Sequence, residues 1–194
     1  MSEASKRPKN PELIRTQCLT VMRDLLVSQG PESVTLDLVA QRAGVTKGGL
    51  QYHYRSKNAL LEALRDQLFE EFDKTYQRTL SAEADRPGKH ARAYIKTCFD
   101  DTASNNAIGT QRAIAMLALT LPSCRQTWSE RMTDALAHDL AGTAAEDQLL
   151  ICRLAADGMW FAGMFEVYDV DAPRKARLLA LLLDMCDRAT SRSG

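Results

Sequence analysis

Three residues, Gly44-Val45-Thr46, are all that separates two short stretches with helical apolar spacing, LDLVAQRA and KGGLQYH. A connection this short makes the two helices cross steeply instead of lying side by side. Thr35 is placed to cap the first helix, and Asp37 falls in the first turn, where the helix dipole favours a negative charge. Val39, Ala40 and Ala43 face inward, Gly44 makes the turn, and Val45 and Leu50 close a small core. Ala40 is small enough for close helix approach.

Helical periodicity continues along the chain, Gly and Pro fall mostly between periodic segments, and no alternating β-branched run bounded by turns occurs. The expected fold is all-α. A first helix begins after Asn10-Pro11, with Asn10 as cap, and ends at Gln29-Gly30-Pro31. Ser56 caps a long fourth helix from Lys57 to about Leu80. After the polar break SAEADRPG, further helices are expected at 87–104, 107–120, 122–141, 145–168 and 172–190, with Pro87, Pro122 and Pro173 near three of the starts. The boundary between the N-terminal unit, residues 10–60, and the larger unit, residues 61–194, falls within the long fourth helix, so the two are mechanically connected.

The chain of 194 residues is 45% hydrophobic, enough for a sizeable core, yet no stretch has the roughly 18 uninterrupted apolar residues of a membrane span. The N-terminus lacks the apolar region of a secretory signal, and the expected location is cytoplasmic. Cys18, Cys98, Cys124, Cys152 and Cys186 stand singly, without a CxxC pair, and read as buried thiols and not as a disulfide or zinc framework.

If Thr46 caps the third helix, that helix opens with Lys47, Gly48 and Gly49: a charge of the wrong sign for a helix start, then two residues that penalise helix. The net charge of zero also conceals an asymmetry. Between Asp37 and Glu62 no acidic residue occurs across 24 positions, while Arg42, Lys47, Arg55 and Lys57 all fall there. Such a patch suits a polyanion. Lysine at a positive helix end becomes favourable when a phosphate or guanine edge sits before it, and the glycines let the backbone approach closely. Helix, tight turn and second helix together form a helix-turn-helix, whose later helix lies in the major groove.

The stretch GVTKGGLQYHYRSKNALL resembles the signature of the TetR (tetracycline repressor) family of bacterial regulators, Gly-Val-Ser-x-Gly-x-Leu-Tyr-Tyr-His-Phe-x-Ser-Lys-x-x-Leu-Leu. The likeness covers roughly residues 10–65, and the expected count of about nine helices also fits the family. It implies that Lys47, Gly49, Gln51 and Tyr52 lie near base edges, and Thr35, Thr46, Tyr52, His53 and Lys57 near the phosphate backbone of double-stranded operator DNA. Gln pairs bidentately with adenine and Lys with guanine, while Tyr and Thr hydroxyls bind phosphate. Gly49 stands where the family often has Thr or Ser, and Gln51 where it commonly has Tyr, so base preference does not transfer and Gln51 is the leading specificity candidate. Arg55 replaces a frequent Pro and is a further candidate for phosphate contact. Structural alternatives are a core role for Tyr52 or Tyr54, a backbone hydrogen bond for His53 and a plain surface position for Lys57.

Toward the C-terminus, Leu150, Leu154, Phe161, Met164 and Tyr168 form one apolar stripe of a helix, and Leu149, Cys152, Ala156, Trp160, Gly163 and Val167 another. A helix apolar on two sides is sandwiched. The resemblance implies that it pairs with the last helix and their copies about a two-fold axis. A homodimer through the helices near 145–168 and 172–190 would read two half-sites. The resemblance also implies a small-molecule effector cavity, with Tyr94, Cys98, Phe99, Met116, Trp128, Asp157, Met159, Trp160 and Phe165 as candidate lining; their alternative is plain core. Asp157 falls on an apolar stripe and needs a hydrogen-bonding partner or a cationic ligand. His90 and His138 lie far apart in sequence without metal-ligand spacing, so no metal and no cofactor is expected.

The reading is a ligand-responsive transcriptional regulator, a repressor released from a palindromic operator by its effector. The alternatives are an effector-independent regulator or activator acting through protein partners, and a helical enzyme binding an anionic substrate. No nucleophile elbow, phosphate loop, HExxH or Cys/His arrangement supports an enzyme.

Overall fold

A computed structural model describes residues 11–100, 107–139 and 144–191. Among them are nine α-helices and one 3-10 turn, and no strand: α1 (Pro11–Gln29), the 3-10 turn (Pro31–Ser33), α2 (Leu36–Arg42), α3 (Lys47–His53), α4 (Lys57–Ala82), α5 (Lys89–Phe99), α6 (Ala107–Thr120), α7 (Pro122–Ala137), α8 (Ala144–Phe165) and α9 (Ala172–Ser191). The all-α expectation holds. The 3-10 turn is an addition to the sequence reading, and Asn10, the expected first cap, lies outside the described residues.

Local chemistry sets the helix ends. Thr35 Oγ1 accepts from the Leu38 N–H at 3.2 Å, Thr46 Oγ1 from Gly49 at 3.0 Å and Ser56 Oγ from Ala59 at 3.1 Å, three side-chain caps in succession. Gly44, at φ 67°, ends α2: its N–H donates to the Gln41 carbonyl and the Val45 N–H to the Ala40 carbonyl, a Schellman arrangement that a β-carbon would strain. Pro122 opens α7 at its first position. Pro87 does not open α5; Gly88, at φ 74°, intervenes as the cap, so this proline sits in the approach and not in the first turn.

Met22, Leu26, Val34, Val39, Ala40, Leu50, Tyr54, Leu60 and Leu64 are buried where α1 to α4 meet. The core continues without a break into the larger unit, through Leu68, Phe72, Tyr94, Ile114, Leu117, Leu149 and Cys152. Helix α4 runs through both. All five cysteines are buried and reduced, as expected. On α8, Leu149, Cys152 and Ala156 face the core, whereas Ile151, Leu154, Phe161 and Phe165 are exposed. Helix α9 repeats the pattern, with Cys186 and Ala189 buried and Leu181 and Met185 exposed. Between them, Glu166, Tyr168 and Asp169 take positive φ values of 54°, 72° and 41°.

Candidate nucleic-acid interface and effector cavities

The turn around Gly44 and the cap of Thr46 set α3 across α2, with Leu50 buried beneath. Opposite Leu50, Lys47, Gly48, Gln51 and Tyr52 are exposed, Tyr52 to 84%. Arg55, at the end of α3, is exposed too, and Arg42 closes α2 as a further exposed cation. Tyr54 is buried, its alternative as a core aromatic, with the Arg15 guanidinium 5.9 Å from its ring centre. His53 is half-buried and meets Tyr52 edge-on at 5.2 Å.

Two lysines of this region have partners that the sequence did not disclose. Lys47 Nζ donates to Asp37 Oδ2 at 2.9 Å, between side chains that both remain largely in solvent. Lys57 Nζ donates to the Pro31 carbonyl at 2.7 Å and so fastens the start of α4 to the 3-10 turn. An ammonium has three donors, leaving two for another acceptor. Thr35 and Thr46 are exposed although their hydroxyls act as caps. A β-carbon at Gly48 would meet nothing within 4 Å, whereas one at Gly49 would stand 3.1 Å from Thr46 Oγ1. The packing of the protein thus accounts in part for Gly49 and not for Gly48.

In the larger unit an aromatic cluster joins α4, α5, α7 and α8. Trp128 stacks on Phe69 at 5.9 Å, meets Phe72 edge-on at 5.2 Å and lies 5.4 Å from Trp160. Three cavities surround it. Cys98, Gln111, Arg112, Met159, Trp160 and Lys175 help to line one of about 520 Å³, at the loop between α8 and α9. Tyr94, Trp128, Arg153 and Asp157 line one of about 410 Å³, and Phe72, Tyr76, His90, Tyr94 and His138 one of about 300 Å³. Of the expected lining residues, Phe99 is buried core, Met116 packs against it and Phe165 is 66% exposed; these three face none of the three cavities.

Asp157 has the structural partner its position requires: the Tyr94 hydroxyl donates to Oδ1. Burial raises its pKa, against the Tyr94 bond and the charge of Arg153. Burial likewise pushes the Tyr94 phenol and Cys98 thiol well up, so neither is an ionised group at neutral pH. Arg153 donates from Nε to Asp139 Oδ2 at 2.8 Å, and Asp139 Oδ1 accepts from the Ala91 N–H at 3.0 Å, tying α8, the end of α7 and α5 together. His90 and His138, separate in sequence, are stacked with ring centres 4.5 Å apart. The Tyr76 hydroxyl lies 3.0 Å from His90 Nδ1, and His138 Nδ1 lies 2.8 Å from the Asp134 carbonyl, an acceptor only, so this nitrogen carries a proton. No cluster of three metal-ligating side chains occurs among the described residues. Arg112, Arg153 and the histidine pair escaped the sequence reading because their significance depends on long-range neighbours.

Residues 19–64 match the family described as "Bacterial regulatory proteins, tetR family", and residues 88–187 match "Tetracyclin repressor-like, C-terminal domain". The HTH-type transcriptional regulator BetI of Pseudomonas paraeruginosa is 27% identical over 168 residues, 81% of this chain and 85% of that protein. BetI of Ectopseudomonas mendocina is 26% identical, covering 83% and 88% respectively. Among solved structures, a TetR-family transcriptional regulator from Streptomyces coelicolor superposes with a TM-score of 0.65 at 20% identity, covering 93% of this chain and 96% of that one. The multidrug binding protein EbrR, complexed with imidazole, gives 0.57 at 19% identity, covering 88% and 93%. With both parts of the chain matched by family and the fold shared, this protein belongs to the TetR family of DNA-binding transcriptional regulators.

Proposed function

We propose that this regulator binds a palindromic operator as a cytoplasmic homodimer, represses there, and is released when a small-molecule effector enters the larger unit. Residues 10–60 serve as the DNA-reading unit and residues 61–194 as the effector-binding and dimerisation unit. The observation that carries the reading is the outer face of α3: Lys47, Gln51 and Tyr52 stand free of the core on a helix capped by Thr46, and its second residue, Gly48, leaves a gap that no protein side chain fills. Gln51 is the base-reading candidate; Thr35, Thr46, Tyr52, His53, Arg55 and Lys57 surround it as phosphate contacts.

Dimerisation is supported by Leu154, Phe161, Phe165 and Leu181, large apolar side chains exposed on α8 and α9. Transmission to the DNA-reading unit is supported by Glu71 of α4. It accepts from Thr110 of α6 at 3.1 Å and pairs with the buried Arg23 of α1 at 3.5 Å. An effector that weakens DNA binding ten- to a hundredfold needs to supply only about 1.4–2.7 kcal/mol of coupling.

The test is selection of bound sites from random duplex DNA, followed by a salt titration on the enriched sequence. The expected product is an inverted repeat whose affinity falls steeply with salt. Gln51→Ala should relax preference at one base position per half-site, at a cost of about 1–3 kcal/mol. No enrichment and little salt dependence would overturn the reading.

A further inference from the structure

Six arginines among the described residues are at least partly withdrawn from solvent: Arg23, Arg65, Arg92, Arg112, Arg131 and Arg153. Five have a carboxylate within ion-pair distance. Arg112 has none. Its Nη2 donates to the Gly163 carbonyl, and its Nε is sealed from water without an acceptor. A half-buried guanidinium with one neutral acceptor is poorly compensated for the water it has lost.

Arg112 lines the cavity of about 520 Å³, a volume suited to a small organic molecule. Met159, Trp160, Val167 and Val170 give that cavity an apolar wall, and Lys175 adds a second cation from α9. The acids on the lining, Glu166 and Asp169, are exposed, so solvent and salt screen their repulsion more strongly than the attraction of the deeper Arg112. They also belong to the loop where three residues other than glycine hold positive φ, a conformation that costs energy and clusters at ligand clamps.

We propose that this cavity takes an amphipathic organic carboxylate, its carboxylate on Arg112 and its apolar body against Met159 and Trp160. The inference rests on the reading of the larger unit as effector-binding. Guanidinium has five N–H donors in a planar fork, so Arg112 can keep its bond to Gly163 and still offer a paired contact to a carboxylate. The bond to Gly163 connects the bound anion directly to the last turn of α8.

Calorimetric titration of the full chain with octanoate, octanamide and octyltrimethylammonium tests the proposal. Octanoate should bind at least tenfold more tightly than either counterpart. Arg112→Met should abolish that preference by weakening octanoate far more than octanamide, and Arg112→Lys should restore part of it. Circular dichroism checks that each variant is folded, and the comparison of the three probes on the unsubstituted protein stands whether or not a variant folds. Equal binding of octanoate and octanamide by that protein, or a preference that survives in folded Arg112→Met, overturns the proposal. DNA-site selection without any probe separates the two readings: an operator binder that ignores octanoate loses only the carboxylate inference.

Discussion

A methyl group at residue 48 would meet no protein atom, so nothing inside the molecule asks for glycine there. Replacing Gly48 by Ala should therefore raise stability, by about 0.5 kcal/mol because the site lies near the helix start. It should also lower affinity for the selected operator at least tenfold. Urea unfolding and fluorescence anisotropy measure the two effects, and unchanged affinity would show that close backbone approach is not the reason for this glycine. Gly49 gives no such clean separation, since its β-carbon would crowd the Thr46 cap. At this scale the sequence was most legible where a residue acts on its immediate neighbours: Thr35, Thr46 and Ser56 all cap as their positions imply. It was silent on the Lys47–Asp37 pair and on Lys57 reaching the Pro31 carbonyl, because side-chain reach across ten or more residues leaves no local pattern.

Among the helices, α5 and α7 meet through a contact with a titratable consequence. Burial, then the adjoining His138, Arg153 and Lys89, depress the pKa of His90 from 6.5, with Asp139 opposing. Below about pH 6.5 the unfolded chain takes up a proton that the folded protein resists, so stability should fall as pH drops through that value. The melting temperature should be lower at about pH 5.5 than at about pH 7.5, and His90→Gln should reduce the difference. An equal difference in that variant would assign the effect to other groups. The helix succession itself was readable from apolar spacing, with ends shifted by a few residues. The histidine pair was not, since the two rings stack only after α5 and α7 have packed. Pro87 misled for a local reason: the positive φ of Gly88 makes that glycine the cap and leaves the proline outside the helix.

For the molecule as a whole, the two apolar stripes of α8 were legible as an argument for two neighbours, but which stripe faced inward was not. Small Cys152 and Ala156 let α8 approach the core, while the larger Leu154 and Phe161 are left outside. Phe161→Glu should shift the protein to monomer in sedimentation with helicity retained, and operator affinity should fall at least tenfold as one head loses its partner. A dimer that persists would place the interface elsewhere. The continuous α4 gives the assembly a lever: 26 residues of helix are about 39 Å of nearly rigid rod. Pivoting such a rod by about 5° at its C-terminal end sweeps the other end through roughly 3 Å, close to the rise of one base pair. In the proposed homodimer the sweeps of the two copies would add across the two-fold axis. On that proposal, a rearrangement at the cavities no larger than a side-chain rotation would be geared up into a misfit of about two base steps between the heads, at an energy cost to the DNA.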